Sequence, residues 1–312
     1  MKSRVFVNAA ATIGHQPVLG VTGFVNELKP LQSGDELIQP SYRDYIDPMS
    51  LRRMSKILRM SLTSAKEALR QAAVEIPSGI IVGTGLGCLV ETEKFLTNFL
   101  TLEGLIPPTA FILSTHNTIA GQISLSLNCH SYNITHTQNT VSFEIALVDG
   151  IMKLEEGEDN LLVGAADEHI PFLDRVASEW GYAGLRLTSG TSFFVLSSMS
   201  SSHTKAEIID VEVVVNKVEH LDSSITRFLD RLGLKADDLD VVLESGWKGG
   251  SPADTKKQGF IEYSGFYPTA SAFAFHYAVD YLQTVDGAKY VLVVNDLNPN
   301  NLGLVLLKSV EI

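Results

Sequence analysis

Along the 312-residue chain, apolar and polar positions switch between the two-residue period of a strand and the three-to-four-residue period of a helix. The stretch RVFVNAAATIG reads as a first strand. In DPMSLRRMSKILRMSLTSAKEALRQA, the spacing of Leu51, Met54, Leu58, Leu62 and Ala65 predicts a helix of about five turns after a Ser50 cap. GIIVGTGLGCLVETEKFLTNFL reads as a buried strand, a glycine-rich turn and a helix. STHNTIAGQISLSLNCHS places Ile119, Ile123 and Leu127 on one helical face, with a tight contact expected at Gly121. A short strand YNIT, a helix VSFEIALVDGIMKLEEG and the strands NLLVGAAD and TSFFVLSS come next. After the linker-like SMSSSHTKAE the pattern restarts: strand IIDVEVVV, helix SSITRFLDRLG, strand VVLESG, helix ASAFAFHYAVDYLQTV, strands YVLVVND and LGLVLLK. The second half thus repeats the first in shorter form, a weak internal duplication of α/β units.

Composition narrows the function. With 45% apolar residues the chain can bury a sizeable core, and its longest apolar runs fall far short of a membrane span. The N-terminal stretch lacks the apolar core of a signal peptide, so a soluble, cytoplasmic protein is expected. A net charge of −12 argues against a nucleic-acid partner. Cys88 and Cys129 lack metal-ligand spacing and fit reduced thiols. The turn GTGLGC places glycines at 83, 85 and 87, which is not the G-x-G-x-x-G of dinucleotide sites, and no acidic residue follows a second strand at the required distance. No phosphate-loop, H-E-x-x-H or G-x-S-x-G motif occurs, so no cofactor or metal is expected. One region departs from the acidic average. Between Ser41 and Arg70 lie Arg43, Arg52, Arg53, Lys56, Arg59, Lys66 and Arg70 against Asp44, Asp47 and Glu67, a solvated helix face or a docking surface for an acidic partner.

Taken in order, five stretches resemble the β-ketoacyl synthases. DPMSLRRMSKILRMSLTSAKEAL is similar to the family's Arg-Arg-Met helix, VGTGLGCLVETEKF to its glycine turn and following helix, and NTIAGQIS to its Asn-x-x-Ala-Gly helix. LVGAADE resembles the Gly-Gly-Ala-Glu strand end with Asp167 for glutamate, and TSGTSFFVLSS the Gly-Glu-Gly-Ala-Gly strand with Ser189 for the acid. The resemblance implies an α/β, thiolase-like fold with a duplicated αβαβα five-layer arrangement in one compact domain. Residues 1–200 would form the N-terminal half and 201–312 a shortened C-terminal half. It also implies a dimer formed through the strand beside the active site.

The resemblance further implies three chemical positions. A condensing enzyme needs a thiolate at a helix N-terminus and two histidines that stabilise an oxyanion. Anchoring the helix on Ser142 and Ala146 places the nucleophile position on Thr140; a shifted gap would place it on Asn139 or Gln138, and none carries a thiol. LESGWKGG places Ser245 for the first histidine, and YSGFYPTASAFA places Tyr263 for the family lysine and Pro268 for the second histidine. Neither a hydroxyl without a base nor a proline ring replaces that chemistry, so the chain is expected to be silent as a condensing enzyme. Substitutes are His116 and His136, which flank the nucleophile position, together with Cys129 beside His130, and His276. Hydrogen bonding in the core or at the dimer seam is the expected role of His116 and His136, a satisfied core position that of His276, and packing that of Cys88; adjacency of Cys129 and His130 does not by itself give facing geometry.

The resemblance thus points to a non-catalytic subunit similar to the chain-length factors of polyketide, aryl polyene and flexirubin-type biosynthesis. It would pair with an active ketosynthase, or with itself, and shape the acyl tunnel. The alternatives are a divergent condensing enzyme, decarboxylase or acyltransferase using His116 or His136, and an acyl or acyl-carrier-protein binding module in which Arg52, Arg53, Lys56 and Arg59 meet an acidic carrier.

Overall fold

A computed structural model describes residues 4–104, 108–179, 185–217, 220–246 and 256–310. Its first half comprises β1 (Val5–Ile13), α1 (Pro48–Leu51), α2 (Lys56–Gln71), β2 (Gly79–Gly83), α3 (Leu89–Thr101), α4 (Pro108–Ser114), α5 (Thr118–Leu127), β3 (Tyr132–His136), α6 (Ser142–Glu155), β4 (Leu161–Asp167), α7 (Pro171–Glu179) and β5 (Gly190–Ser197). The second comprises β6 (Ala206–Val215), α8 (Leu221–Arg231), β7 (Val241–Glu244), β8 (Lys257–Gly259), α9 (Ile261–Ser264), α10 (Ser271–Thr284), β9 (Tyr290–Asn295) and β10 (Asn301–Lys308).

The strands run in the order β3-β2-β4-β5-β1-β6-β10-β9-β7-β8. Counted from its own first strand, each half has the same order, third-second-fourth-fifth-first. The senses match too: β3, β2 and β4 are parallel while β4, β5 and β1 are antiparallel. Likewise β8, β7 and β9 are parallel while β9, β10 and β6 are antiparallel. The halves join where Val5 to Val7 pair with Ala206 to Ile208.

Strand alternation sorts most of the core into three large clusters, beside a small one of Ile13, Tyr42 and Met60. Ala9, Ala11, Ile80, Val82, Leu162 and Phe193 face α2 and α5. The opposite faces of the same strands, through Ile81, Val163 and Phe194, meet α6 and α10 together with Leu243, Val293 and Val305 of the second half. The remaining face, with Leu292, Leu304 and Leu306, packs on Phe228 and Leu229 of α8. Here α10 is buried from Ser271 to Asp280, which is why its sequence is apolar nearly all round, while α6 buries one side through Phe143, Ala146, Leu147 and Leu154 and leaves Met152 exposed.

Three expectations are corrected. The predicted long helix is two: Asp47 caps α1 by accepting from the N–H groups of Met49 and Ser50, the chain turns through Arg52 and Arg53, and α2 starts after Ser55. The apolar spacing ran through this break because both segments pack on the same core. Gly121 makes no tight contact, since a Cβ there would meet open space. Finally α4, α7 and β8 were not foreseen.

Candidate functional site

The N-terminus of α6 is anchored to the end of β2. A Cβ on Gly83 would lie 2.5 Å from the Ser142 carbonyl oxygen, so only glycine allows the helix this close. The Thr84 N–H donates to the His136 carbonyl at 3.0 Å, and Ser142 Oγ accepts from the Gln138 N–H at 2.8 Å. The connecting turn, Asn139–Val141, starts with Asn139 at φ 55, a conformation asparagine tolerates. Thr140 therefore sits where helix and strand meet. Its side chain is buried, its Oγ1 has no partner, and its carbonyl accepts from Asn295 Nδ2 at 2.7 Å.

Beneath it lies Glu144, wholly enclosed. Asn295 Nδ2 is 2.9 Å from Glu144 Oε1 and 3.2 Å from Ser271 Oγ, and Glu144 Oε2 has no partner. Burial pushes this carboxyl up to about 7, against the hydrogen bonds from Ser271 and Asn295. β10 must carry Gly303 here, because a Cβ would lie 2.6 Å from Glu144 Cγ.

The glycine-rich turn closes around another acid. Asp167 Oδ1 accepts from Thr84 Oγ1 (2.9 Å) and from the N–H groups of Gly85 (2.9 Å) and Leu86 (2.8 Å). Asp167 Oδ2 accepts from the N–H (3.0 Å) and Oγ1 (2.7 Å) of Thr269. Donors that would cradle a phosphate in a nucleotide site thus serve a protein carboxylate. Burial raises the Asp167 carboxyl above its ordinary value and these bonds oppose the rise. The turn presses on Pro268: a Cβ at Gly85 would sit 2.4 Å from Pro268 Cβ.

Above this floor lies a cavity of about 310 Å³. Thr140 and Pro268 both line it, with Leu86, Phe266, Tyr267 and Leu297. Ser245 does not: its N–H donates to Asp296 Oδ1 at 3.1 Å, beside Leu297, and its hydroxyl is buried without a partner. Residues 247–250 of its motif lie outside the described residues. α7 covers one side with Leu173, Val176 and Ala177, which fall on one helical face. A histidine that the sequence reading passed over, His169, is also on the wall, with its Nε2 2.9 Å from Asp174 Oδ1. The available signal was its place two residues after Asp167, at the strand end.

The substitutes lie elsewhere. His116 is exposed beyond the turn, its ring 2.7 Å from where a Gly87 Cβ would be. His136 Nε2 is 2.8 Å from Asp149 Oδ2, and Tyr132 donates to the same carboxylate. His276 is a core residue, its Nδ1 2.9 Å from Thr12 Oγ1, and burial together with nearby Lys205 pushes it down to about 3. Cys129 donates to the Pro77 carbonyl while His130 reaches Asn128 Oδ1, so they form no nucleophile and base pair. Burial drives the Cys88 thiol up to about 12, far from a reactive thiolate. Among the described residues no three His, Cys, Asp or Glu side chains gather to hold a metal ion, and no helix is long and apolar enough to cross a membrane.

The four basic docking candidates do not share one exposed face. Arg52 and Arg53 are exposed in the turn between α1 and α2. Lys56 Nζ donates to Ser189 Oγ (3.1 Å) and Arg59 Nε to the Met54 carbonyl (2.9 Å).

The remaining edge of this half is β3. Its stretch YNITH has a bonded neighbour only in β2 and carries no proline, lysine or bulge, the devices that usually protect an edge. Next to it, α5, α4 and α3 pack in succession. They expose Leu100 (80%), Phe99 (61%), Phe111 (58%), Ile112 (60%) and Leu125 (74%).

Residues 30–220, more than half of the chain, match the family described as beta-ketoacyl synthase, N-terminal domain. No curated protein matches the sequence significantly. Among solved structures, the ishigamide ketosynthase/chain length factor superposes with a TM-score of 0.81 at 15% identity, covering 99% of this chain and 100% of that one. A beta-ketoacyl synthase from Burkholderia phymatum STM815 gives 0.77 at 13%, covering 100% of both chains. A type II PKS acyl-carrier protein in complex with its ketosynthase bound to the hexaketide gives 0.76 at 13%, covering 99% and 100%. At such identities the likeness establishes a mixed α/β ketosynthase fold over the whole chain.

Proposed function

The chain belongs to the β-ketoacyl synthase family, and from that premise we propose that it is a subunit that performs no condensation itself and pairs with an active β-ketoacyl synthase. In that role it completes the dimer and helps shape the acyl tunnel of a polyketide or fatty-acid-type pathway. The observation that carries this reading is the unprotected edge of β3 together with the exposed apolar residues of α3, α4 and α5, which pack in succession beside it. An open strand edge offers unpaired backbone groups and a contiguous apolar patch offers area, and one partner can satisfy both.

Silence in condensation is supported by the cavity. No cysteine lines it, and its one histidine is engaged with Asp174. Thr140 has its hydroxyl covered, with no base bonded to it. The repeated strand order and the three large core clusters favour two thiolase-like halves, 1–200 and 201–312, stacked as five alternating layers.

The test is co-expression with a β-ketoacyl synthase that retains its cysteine and two histidines, followed by assays of acyl transfer and condensation from malonyl carrier. A stoichiometric heterodimer that turns over, beside an isolated chain that neither turns over nor takes up acyl groups, is the expected result. An acylated side chain on the isolated protein, or a partner equally active and equally long in its products without this chain, overturns the reading.

A further inference from the structure

We propose that a second cavity, at the starting ends of β1, β6 and β9, binds a small molecule through a doubly charged phosphate group. It lies at the end of the sheet opposite to Thr140: β9 opens with Tyr290 on this cavity and leads to Leu297 on the other. The six residues of β9 alone put roughly 20 Å between them. The proposal is therefore independent of the subunit role. Its volume of about 690 Å³ is that of a small-molecule site.

Strand register builds the floor. Phe6 is opposite Glu207, Glu207 opposite Lys308, and Lys308 opposite Tyr290, across the antiparallel strands β1, β6, β10 and β9. Residues opposite one another in antiparallel strands project on the same face, so these four side chains form one row. The Arg4 guanidinium sits 4.7 Å from the centre of the Phe6 ring, and the Lys308 ammonium 5.9 Å from that of Tyr290. The two rings thus hold a cation at each end of the row. Lys289 enters from the turn before β9.

Charge decides the ligand. In a chain of net charge −12, Arg4, Lys289 and Lys308 line this cavity against a single carboxylate, Glu207. Glu207 is 7% exposed, and Arg4 occupies both of its oxygens, with Nε at 2.7 Å and Nη2 at 2.6 Å. Glu207 therefore offsets Arg4 alone. Neither lysine forms an ion pair with a described residue. Two uncompensated ammonium groups on one space match a dianion. A phosphate monoester gathers two charges on three oxygens, enough to accept from both lysines and from Arg4 Nη1, whose donors Glu207 does not use.

Phenyl phosphate and benzenesulfonate share a ring and a tetrahedral head, and near pH 7, at about one unit above the second phosphate ionisation, they differ in charge. Each is titrated by calorimetry into the full chain at low salt, with inorganic phosphate as a third ligand that reports whether the group alone suffices. Phenyl phosphate binds, and benzenesulfonate binds at least about tenfold more weakly. Lys289→Ala with Lys308→Ala weakens phenyl phosphate by at least about tenfold, and circular dichroism reports that the variant is folded. Glu207→Gln leaves the Arg4 charge uncompensated and tightens binding by about threefold or more, a gain that misfolding does not produce. Lys94→Ala removes a cation on α3 whose side chain is 64% exposed, and leaves binding unchanged. Equal binding of benzenesulfonate, no binding of phenyl phosphate, undiminished binding to the folded double variant, weaker binding to Glu207→Gln, or an equal loss in Lys94→Ala each overturns the proposal. The titrations use the chain without a partner, so their failure leaves the heterodimer test standing, and failure of that test leaves this site standing.

Discussion

Asp167 and Thr269 stand 102 residues apart in the chain, and their side chains meet at 2.7 Å. The other oxygen of the same carboxylate holds the turn 84–86, so one buried acid fixes both Leu86 and Pro268 on the cavity wall. In Asp167→Asn one acceptor becomes an NH₂ that faces donors. Unfolding free energy is expected to drop by about 2–4 kcal/mol, read by urea denaturation. Asp167→Glu retains the charge but moves the carboxylate one methylene along from its five donors, so it should not restore wild-type stability.

Glu144 gives stability an unusual pH dependence. Its carboxyl is raised by burial from 4.5 to about 7 in the folded protein. The folded state therefore holds this proton more tightly than the unfolded state. Its stabilising contribution is complete below about pH 4.5 and declines as pH rises to about 7, reaching about 3 kcal/mol of lost stability above that. Glu144→Gln should remove the decline and be the more stable protein at pH 8. Urea midpoints measured from pH 5 to 8 compare the two; parallel profiles would refute the assignment.

His276 acts in the opposite sense. Its folded value, pushed down to about 3 from 6.5, means the unfolded state takes the proton first as pH falls. Stability from this residue is full above about pH 6.5 and is lost progressively towards pH 3. His276→Asn keeps a donor near Thr12 and carries no titrating ring. Its acid limb should be flatter than that of the wild type, with a cost at pH 8 of about 1 kcal/mol, measured by the same denaturation series.

The exposed apolar residues of α3 and α4 should matter for pairing and not for folding. Leu100→Glu with Phe111→Glu replaces two side chains that are mostly in water, so thermal stability should move by no more than about 0.5 kcal/mol. Sedimentation or mass photometry of the mixture with an active ketosynthase should show the heterodimer weakened by at least about tenfold. Unchanged association would place the interface elsewhere.

Much of the architecture was legible because it rests on local patterns. Buried strands such as LLVGAAD and YVLVVN are apolar runs of strand length, and α10 and α6 announce themselves by continuous apolar spacing. The pieces that escaped lack such signals. β8 has three residues and exists because β7 lies beside it. α7 is nine residues long with nothing buried, and the break before α2 follows a short α1 that Asp47 caps, within an unbroken apolar rhythm. At the site, the resemblance drew notice to Thr140 and Pro268, which do share one cavity. No pattern could pair Asp167 with Thr269 or bring Asn295 to Glu144, because those contacts depend on the halves closing over each other.

β1 is made before either of its neighbours. Its partners are β5, which starts at Gly190, and β6, which starts at Ala206. On the ribosome this apolar segment must wait for most of the first half to emerge before its backbone is satisfied, a high-contact-order arrangement that favours slow folding and exposure to aggregation. Truncations ending before Ser197 should therefore need a chaperone to stay in solution.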